Sequence, residues 1–282
     1  VKPADMDGWQ PFWRFVRERH RIYKRRQAGW DRPWTQEPIL RDYFFTNVYR
    51  ELDPGTVFIR EMLQEHRDQP LRDKLFNTML YRLAMRERSF AQLGWQQVAH
   101  FDVADVRRWL GQHDQPFHNA YNISNQGKSK PKHVVVANTA GDWLQWLPHD
   151  LPQEAQTREG FITWLRKARG VGPFLATQVL ADLVYDQHVP LPRDGYVELG
   201  PGARRGLANI QHGPEHRDPL PASQAQEVLT VVCENQSAEH DGALPKALTR
   251  MNAQNCACEF SKWSRGGGRR RYHGPDQQMG LL

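Results

Sequence analysis

Along most of this chain apolar residues return every three or four positions, the spacing that stacks them on one face of an α-helix, and strict apolar/polar alternation is scarce. The pattern predicts a mainly α protein. The stretch WQPFWRFVRERHRIYKRR places Phe12, Phe15, Val16, Arg19 and Tyr23 near one face with a dense basic face opposite, an amphipathic helix with a solvated basic side. The following AGWDRPWTQEP, rich in Trp, Pro and Gly, reads as an ordered loop whose tryptophans need something to pack on. Helices are then predicted over ILRDYFFTNVYREL, from Thr56 to Gln64, and over LRDKLFNTMLYRLAMRE, where Leu71, Leu75, Met79 and Leu83 make an apolar stripe. In DVADVRRWLGQ, Asp102 is the expected N-cap.

The stretch AYNISNQGKSKPKHVVVAN hints at extended structure, with GKSKPK as a basic loop. Helical spacing returns in TREGFITWLRKARG, PFLATQVLADLVYD, SQAQEVLTVVCEN and LPKALTRMNAQNCACEF. No internal repeat and no long Pro/Ser linker interrupts the chain. Residues 1–265 are therefore expected to form one helical domain, followed by a basic, Gly-rich tail over 266–282.

Composition sharpens this picture. The 282 residues can bury a core without crosslinks, and 38 Lys and Arg against 32 Asp and Glu, a net charge of +6, favour a polyanionic partner. No apolar run approaches the roughly 20 residues that cross a bilayer, and VKPADMDGW lacks the pattern of a secretory signal, so a soluble, cytoplasmic protein with no membrane partner is expected. Cys233, Cys256 and Cys258 are an odd number at spacings that suit neither a disulfide framework nor a zinc site, so no metal is expected. No organic cofactor motif is visible.

Candidate chemistry begins with GVGPFLATQVLADLVYDQHVPLPRDGY. Gly170 and Gly172 permit positive φ and close approach of another backbone, and the turn's N–H groups, backed by the next helix's N-terminus, form a sequence-independent phosphate site. Pro173 fits that helix's first turn. By itself a Gly-x-Gly turn between helices is common and structural. With Asp194 after the Pro-containing loop, the segment Phe161–Leu207 resembles the helix-hairpin-helix and aspartate arrangement of base-excision DNA glycosylases, whose aspartate sits at the mouth of a pocket for a flipped nucleotide. That resemblance implies a DNA-glycosylase-like helical fold, with the hairpin and catalytic loop over about 154–207. The lysine nucleophile of the bifunctional enzymes is missing, Pro173 and Phe174 standing there instead, so lyase chemistry by a Schiff base is not expected.

The block RDYFFTNVYRELDPGT is dense in polar residues. The plainest reading puts Phe44, Phe45, Val48 and Leu52 on a helix's core face and leaves Arg50, Glu51 and Asp53 solvated. Together with AYNISNQGKSKPKHV and CEFSKWSRGGG, the block resembles the α-glutamyl/putrescinyl thymine pyrophosphorylase family, the amino acid:DNA transferases of phages with hypermodified thymines, over about Phe12 to Arg271. The resemblance implies a cytoplasmic transferase, in the host cell if phage-encoded. It would act on DNA in which a 5-hydroxymethyluracil DNA kinase has left a pyrophosphorylated base, flipping that base and replacing pyrophosphate with the amine of an amino acid or polyamine. Neither a cofactor nor a metal is implied.

Residue roles follow from that implied chemistry. Arg50, Lys128, Lys132 and Lys262 are candidates to hold the departing pyrophosphate, and Asp194 is the first choice of base for the incoming amine, with Glu51 or Glu259 able to share that role. Asn47 and Asn125 could read the uracil edge. Gly170, Gly172, Lys128, Lys130, Arg269, Arg270 and Arg271 are the expected DNA contacts. Two other readings stay open: a monofunctional glycosylase using Asp194, and a non-catalytic DNA-binding module.

Overall fold

A computed structural model describes residues 2–83, 85–117, 130–239, 241–268 and 271. The described chain is mainly helical, with two isolated β-bridges, Tyr43 to Arg271 and Met85 to Phe117, as its extended pairings. It divides into two compact units, one of residues up to Asp53 together with those from Asp194, the other of Pro54–Arg193. Both crossings fall inside motifs, after TNVYRELD and before DGY, so no linker composition announces them.

In the first unit α1 (Trp9–Gln27), α2 (Pro38–Asp42), α10 (Pro201–His212), α11 (Ala222–Glu234) and α12 (Arg250–Trp263) build the core. The α10–α12 pair packs most extensively, and glycine is the reason. A Cβ on Gly206 would lie 1.7 Å from the Ala257 carbonyl oxygen, so the two helices meet backbone to backbone. Gly8, just ahead of α1, is pressed in the same way on Asn209, where a Cβ would come within 1.9 Å of the carbonyl oxygen. Edge-to-face rings fill the rest, Phe12 on Trp13 at 5.1 Å and Phe12 on Phe260 at 5.5 Å. Of the face predicted for α1, Phe12, Phe15, Val16 and Arg19 are buried, and Tyr23 is half-buried.

The second unit holds α3 (Pro54–Glu65), α4 (Leu71–Arg82), α5 (Glu87–Leu93), α6 (Val103–Gln112), α7 (Lys132–Trp146), α8 (Arg158–Leu165) and α9 (Pro173–Tyr185). From Ala176 to Tyr185 every side chain of α9 is buried, and α3, α4 and α8 all pack on it. Its one buried acid, Asp182, is held by Arg82 through two bonds of 2.5 and 2.8 Å. Asp102 caps α6 through the N–H groups of Ala104 and Asp105, as its position predicts. Gly170 takes φ +76° between α8 and α9, and Gly172 is the N-cap of α9. No helix among the described residues is long and apolar enough to cross a membrane.

Expectations fail locally in several places; LPKALTRMNAQNCACEF, for one, is helical only from Arg250, where the Thr249 side chain caps α12. The predicted helix over ILRDYFFTNVYREL stops at Asp42, and residues 43–49 run irregularly because Asn47 and Asp53 bond backbone groups that a helix would use. HVVVAN is helical, not extended: in α7 the buried Val136, Ala137, Ala140 and Trp143 fall at helical spacing, and their burial overrides the β-preference of the valines.

Because a methyl on Gly206 has backbone to displace, Gly206→Ala should cost at least the 1–3 kcal/mol typical of overpacking, roughly 5 °C in Tm. Gly172, with open space around it, should accept alanine with little change in melting. Equal melting temperatures for the two variants would refute the close packing of α10 on α12.

Candidate functional site

The irregular stretch after α2 is a loop closed by its own polar groups. Asn47 Nδ2 donates to the Leu52 carbonyl at 2.7 Å, and the Asn47 N–H donates to Asp53 Oδ1 at 2.9 Å. One face of α12 clasps this loop. Asn252 Oδ1 accepts the Arg50 N–H at 2.9 Å while its Nδ2 donates to Glu51 at 3.2 Å; Asn255 Nδ2 donates to the Asn47 carbonyl at 3.1 Å. The three-residue step from Asn252 to Asn255 keeps both amides on one face, and Glu259 follows four residues on. From α1, Arg19 Nη2 donates to the carbonyls of Thr46 and Asn47 at 2.5 and 3.2 Å.

Helices α1 and α12 thus converge on a loop that is polar and largely buried. Arg19 is 4 % exposed and Arg50 9 %, yet Nε and Nη1 of Arg19 and Nε and Nη2 of Arg50 meet no oxygen or nitrogen acceptor among the described residues. A buried donor left unmet costs about 1–3 kcal/mol, more when charged. Oε2 of the buried Glu259 is likewise unpartnered, its Oε1 being bonded by Lys262. Guanidinium groups with unmet N–H donors are the kind of group that binds phosphate or carboxylate; that of Arg19 also lies over the Phe15 ring at 4.9 Å and against Cys256.

The acids here are not alike. Burial pushes Glu51 up, but bonds from Lys246 at 2.7 Å and from Asn252 more than offset it, leaving this carboxyl below its usual range. Loss of hydration raises Asp53 to about 6 against the pull of Arg50, the Asn47 N–H and Arg19, with Glu259 adding to the rise. Asp53 thus keeps its proton to a higher pH than an ordinary carboxyl. Within the same unit His20, buried next to Lys24 and Arg19, is lowered to about 4 and stays neutral.

Asn47, Arg50, Glu51, Glu259 and Lys262, named from sequence, all belong to this loop and to α12. The side chain of Asn47 braces the loop, its Nδ2 spent on Leu52. Asp194 lies at the start of α12. It is exposed, and Oδ1 accepts the Gly195 N–H at 2.9 Å and the Arg250 N–H at 2.8 Å, capping the start of α12. Arg271 donates to the Tyr43 hydroxyl at 2.9 Å. Gly170, Gly172, Lys130 and Lys132 lie in the second unit, where Lys132 stacks over Phe117 at 4.8 Å and burial lowers its ammonium pKa. Asn125, Lys128, Arg269 and Arg270 lie outside the described residues. Arg19 and Asp53 join this candidate site with no role assigned to them from sequence; the one signal in the pattern is an arginine on the apolar face of α1.

The first unit is thus a helical assembly that buries two arginines with unmet donors and a carboxyl, Asp53, in one polar loop region. The family described as "5-hmdU DNA kinase, helical domain" matches residues 7–270, and the chain belongs to it. The chain is similar to the "5-hmdU DNA kinase" of Bacillus phage SP10, 27 % identical over 228 residues, which are 72 % of this chain and 36 % of that protein. No solved structure matches the chain. The family shown is thus that of a kinase's helical domain, where the motifs resemble thymine pyrophosphorylases.

A carboxyl whose folded pKa lies above its unfolded one favours folding when protonated, so its contribution fades as pH rises through about 6. Asp53→Asn removes that dependence. Denaturant midpoints measured between about pH 4 and pH 7 should show the variant gaining on the parent as pH rises. Parallel curves would mean that Asp53 titrates normally.

Proposed function

We propose that this chain works in the modification of 5-hydroxymethyluracil in DNA, as an amine:DNA transferase on a glycosylase-like helical scaffold. The pair of buried arginines with unmet donors beside Asp53 carries the reading, because a leaving pyrophosphate needs cations and an incoming ammonium needs a base. Membership in the 5-hmdU DNA kinase helical-domain family supports the choice of base and of a kinase as the supplier of its phosphorylated form.

In the proposed step the bond from the 5-methylene carbon to the pyrophosphate oxygen breaks, and pyrophosphate leaves with the electron pair toward Arg19 and Arg50. Asp53 takes a proton from the ammonium, the freed nitrogen forms the new C–N bond, and a second proton passes to solvent. Glu51, paired with Lys246 and Asn252, holds the loop in place. The hairpin at Gly170 and Gly172 and the lysines Lys130 and Lys132 are assigned to the DNA backbone, and Lys262 with Glu259 to the rim of the anion site. The substrates are DNA bearing pyrophosphorylated 5-hydroxymethyluracil and an amino acid or polyamine.

A second reading is favoured by the alignment to about a third of a kinase: the chain presents the base to a kinase and catalyses nothing itself. Nucleoside mass spectrometry separates the two. DNA carrying the pyrophosphorylated base, incubated with the protein and a mixture of amino acids and putrescine, should yield a heavier thymidine adduct and free pyrophosphate. Binding without product supports the presenting role, and release of free base would make the protein a glycosylase. In the transferase, Asp53→Asn should lose on the order of 10²–10⁴ in turnover and Arg50→Gln about 10²–10³, with the parent's rate rising through pH 6. Asp194→Asn, which keeps an acceptor for the α12 N-terminus, should turn over normally; a collapse there would return the base to Asp194.

A further inference from the structure

The loop AGWDRPWTQEP is not used by the chemistry above, and its tryptophans are not buried as a packing role would require. Trp30 is 62 % exposed. The loop is nevertheless held firmly: Trp34 Nε1 donates to the Trp30 carbonyl at 2.8 Å, Arg25 donates to the Trp34 carbonyl, and Thr35 is buried. Between this loop and the α1 and α12 faces runs a groove of about 780 Å³, lined by Trp30, Trp34 and Trp263 together with Arg14, Arg21 and Arg25. A second groove of about 310 Å³ shares Trp34 and Leu40 with it and continues past Arg32, Arg41 and Arg271.

Charge decides the occupant. Among the described lining residues six arginines face three carboxylates, and each carboxylate is already committed: Glu18 to Arg21 and Arg25, Glu37 to the N-terminus of α2, Asp42 to Arg41. The surplus is positive. Guanidinium groups already lie over the rings, Arg25 at 5.8 Å from Trp30 and Arg32 at 4.7 Å from Trp34. A cationic ligand would meet repulsion here, and a purely apolar one would not answer the net positive charge of the lining. An exposed indole, Trp30, beside guanidinium groups that already lie on Trp34 is the chemistry that holds a strand of unstacked bases, ring against base face and arginines against phosphates.

We propose that this tryptophan–arginine groove binds single-stranded DNA. The inference rests only on the DNA-binding part of the proposed function and needs neither the modified base nor the transfer step. A strand opened around a flipped nucleotide would supply such a segment.

The test is fluorescence anisotropy with labelled oligothymidylate free of modified bases, against a duplex of the same length. Trp30→Ala, at an exposed position that does not threaten folding, should weaken single-strand binding by roughly tenfold or more and leave duplex binding within about twofold. Arg14→Ala and Arg32→Ala should each lower the salt slope on the single strand by about 0.7. Unchanged single-strand affinity in both Trp30→Ala and Trp34→Ala would overturn the proposal. So would equal losses on strand and duplex, or a clear preference for oligouridylate RNA. Because the probe carries no modified base, failed transfer with intact, tryptophan-dependent strand binding contradicts the transferase alone; intact transfer with tryptophan-independent binding contradicts the groove alone.

Discussion

The first unit depends on how closely α10 and α12 approach. With no side chain at Gly206, the backbone of α12 at Ala257 can rest directly on α10, and that contact sets the rotation of α12 about its own axis. Its other face, carrying Asn252, Asn255 and Glu259, is then turned toward the loop after α2. A different rotation would aim those amides elsewhere and leave the loop's backbone groups unmet. The glycine contact and the polar clasp are thus two sides of one helix.

That clasp has an energetic consequence. Asn47, Asn252, Asn255 and Asp53 satisfy the loop's backbone, which lets an irregular segment lie buried at little cost. Arg19 and Arg50 are not satisfied in the same way, and guanidinium groups with open donors are expensive inside a protein. An anion that accepts those bonds recovers much of the cost. The same positive charge keeps Asp53 from rising beyond about 6, so site charge and proton affinity are set together.

The helices were legible where periodicity and caps agreed: α1, Asp102 at the start of α6, and the long apolar run of α9. The loop over 43–49 was not, because its aromatic residues have helical spacing and only the side-chain bonds of Asn47 and Asp53, invisible in a pattern, break it. In α7 three successive valines misled for the opposite reason, local preference yielding to burial. Of the site, the TNVYREL block and α12 were legible as motifs. The approach of Arg19 to the loop was not, since α1 and the loop meet only through tertiary packing; Asp194 stood out by its place after a hairpin, and its carboxylate accepts the Arg250 N–H.

Whether Arg19 and Arg50 receive the pyrophosphate of a modified base is decided by calorimetric titration of inorganic pyrophosphate into the protein and into Arg19→Gln and Arg50→Gln variants shown to be folded by circular dichroism. We expect one site per chain in the parent and a loss of tenfold or more in affinity in each variant. No binding to the parent, or equal binding by all three proteins, would mean that the two arginines do not form an anion site.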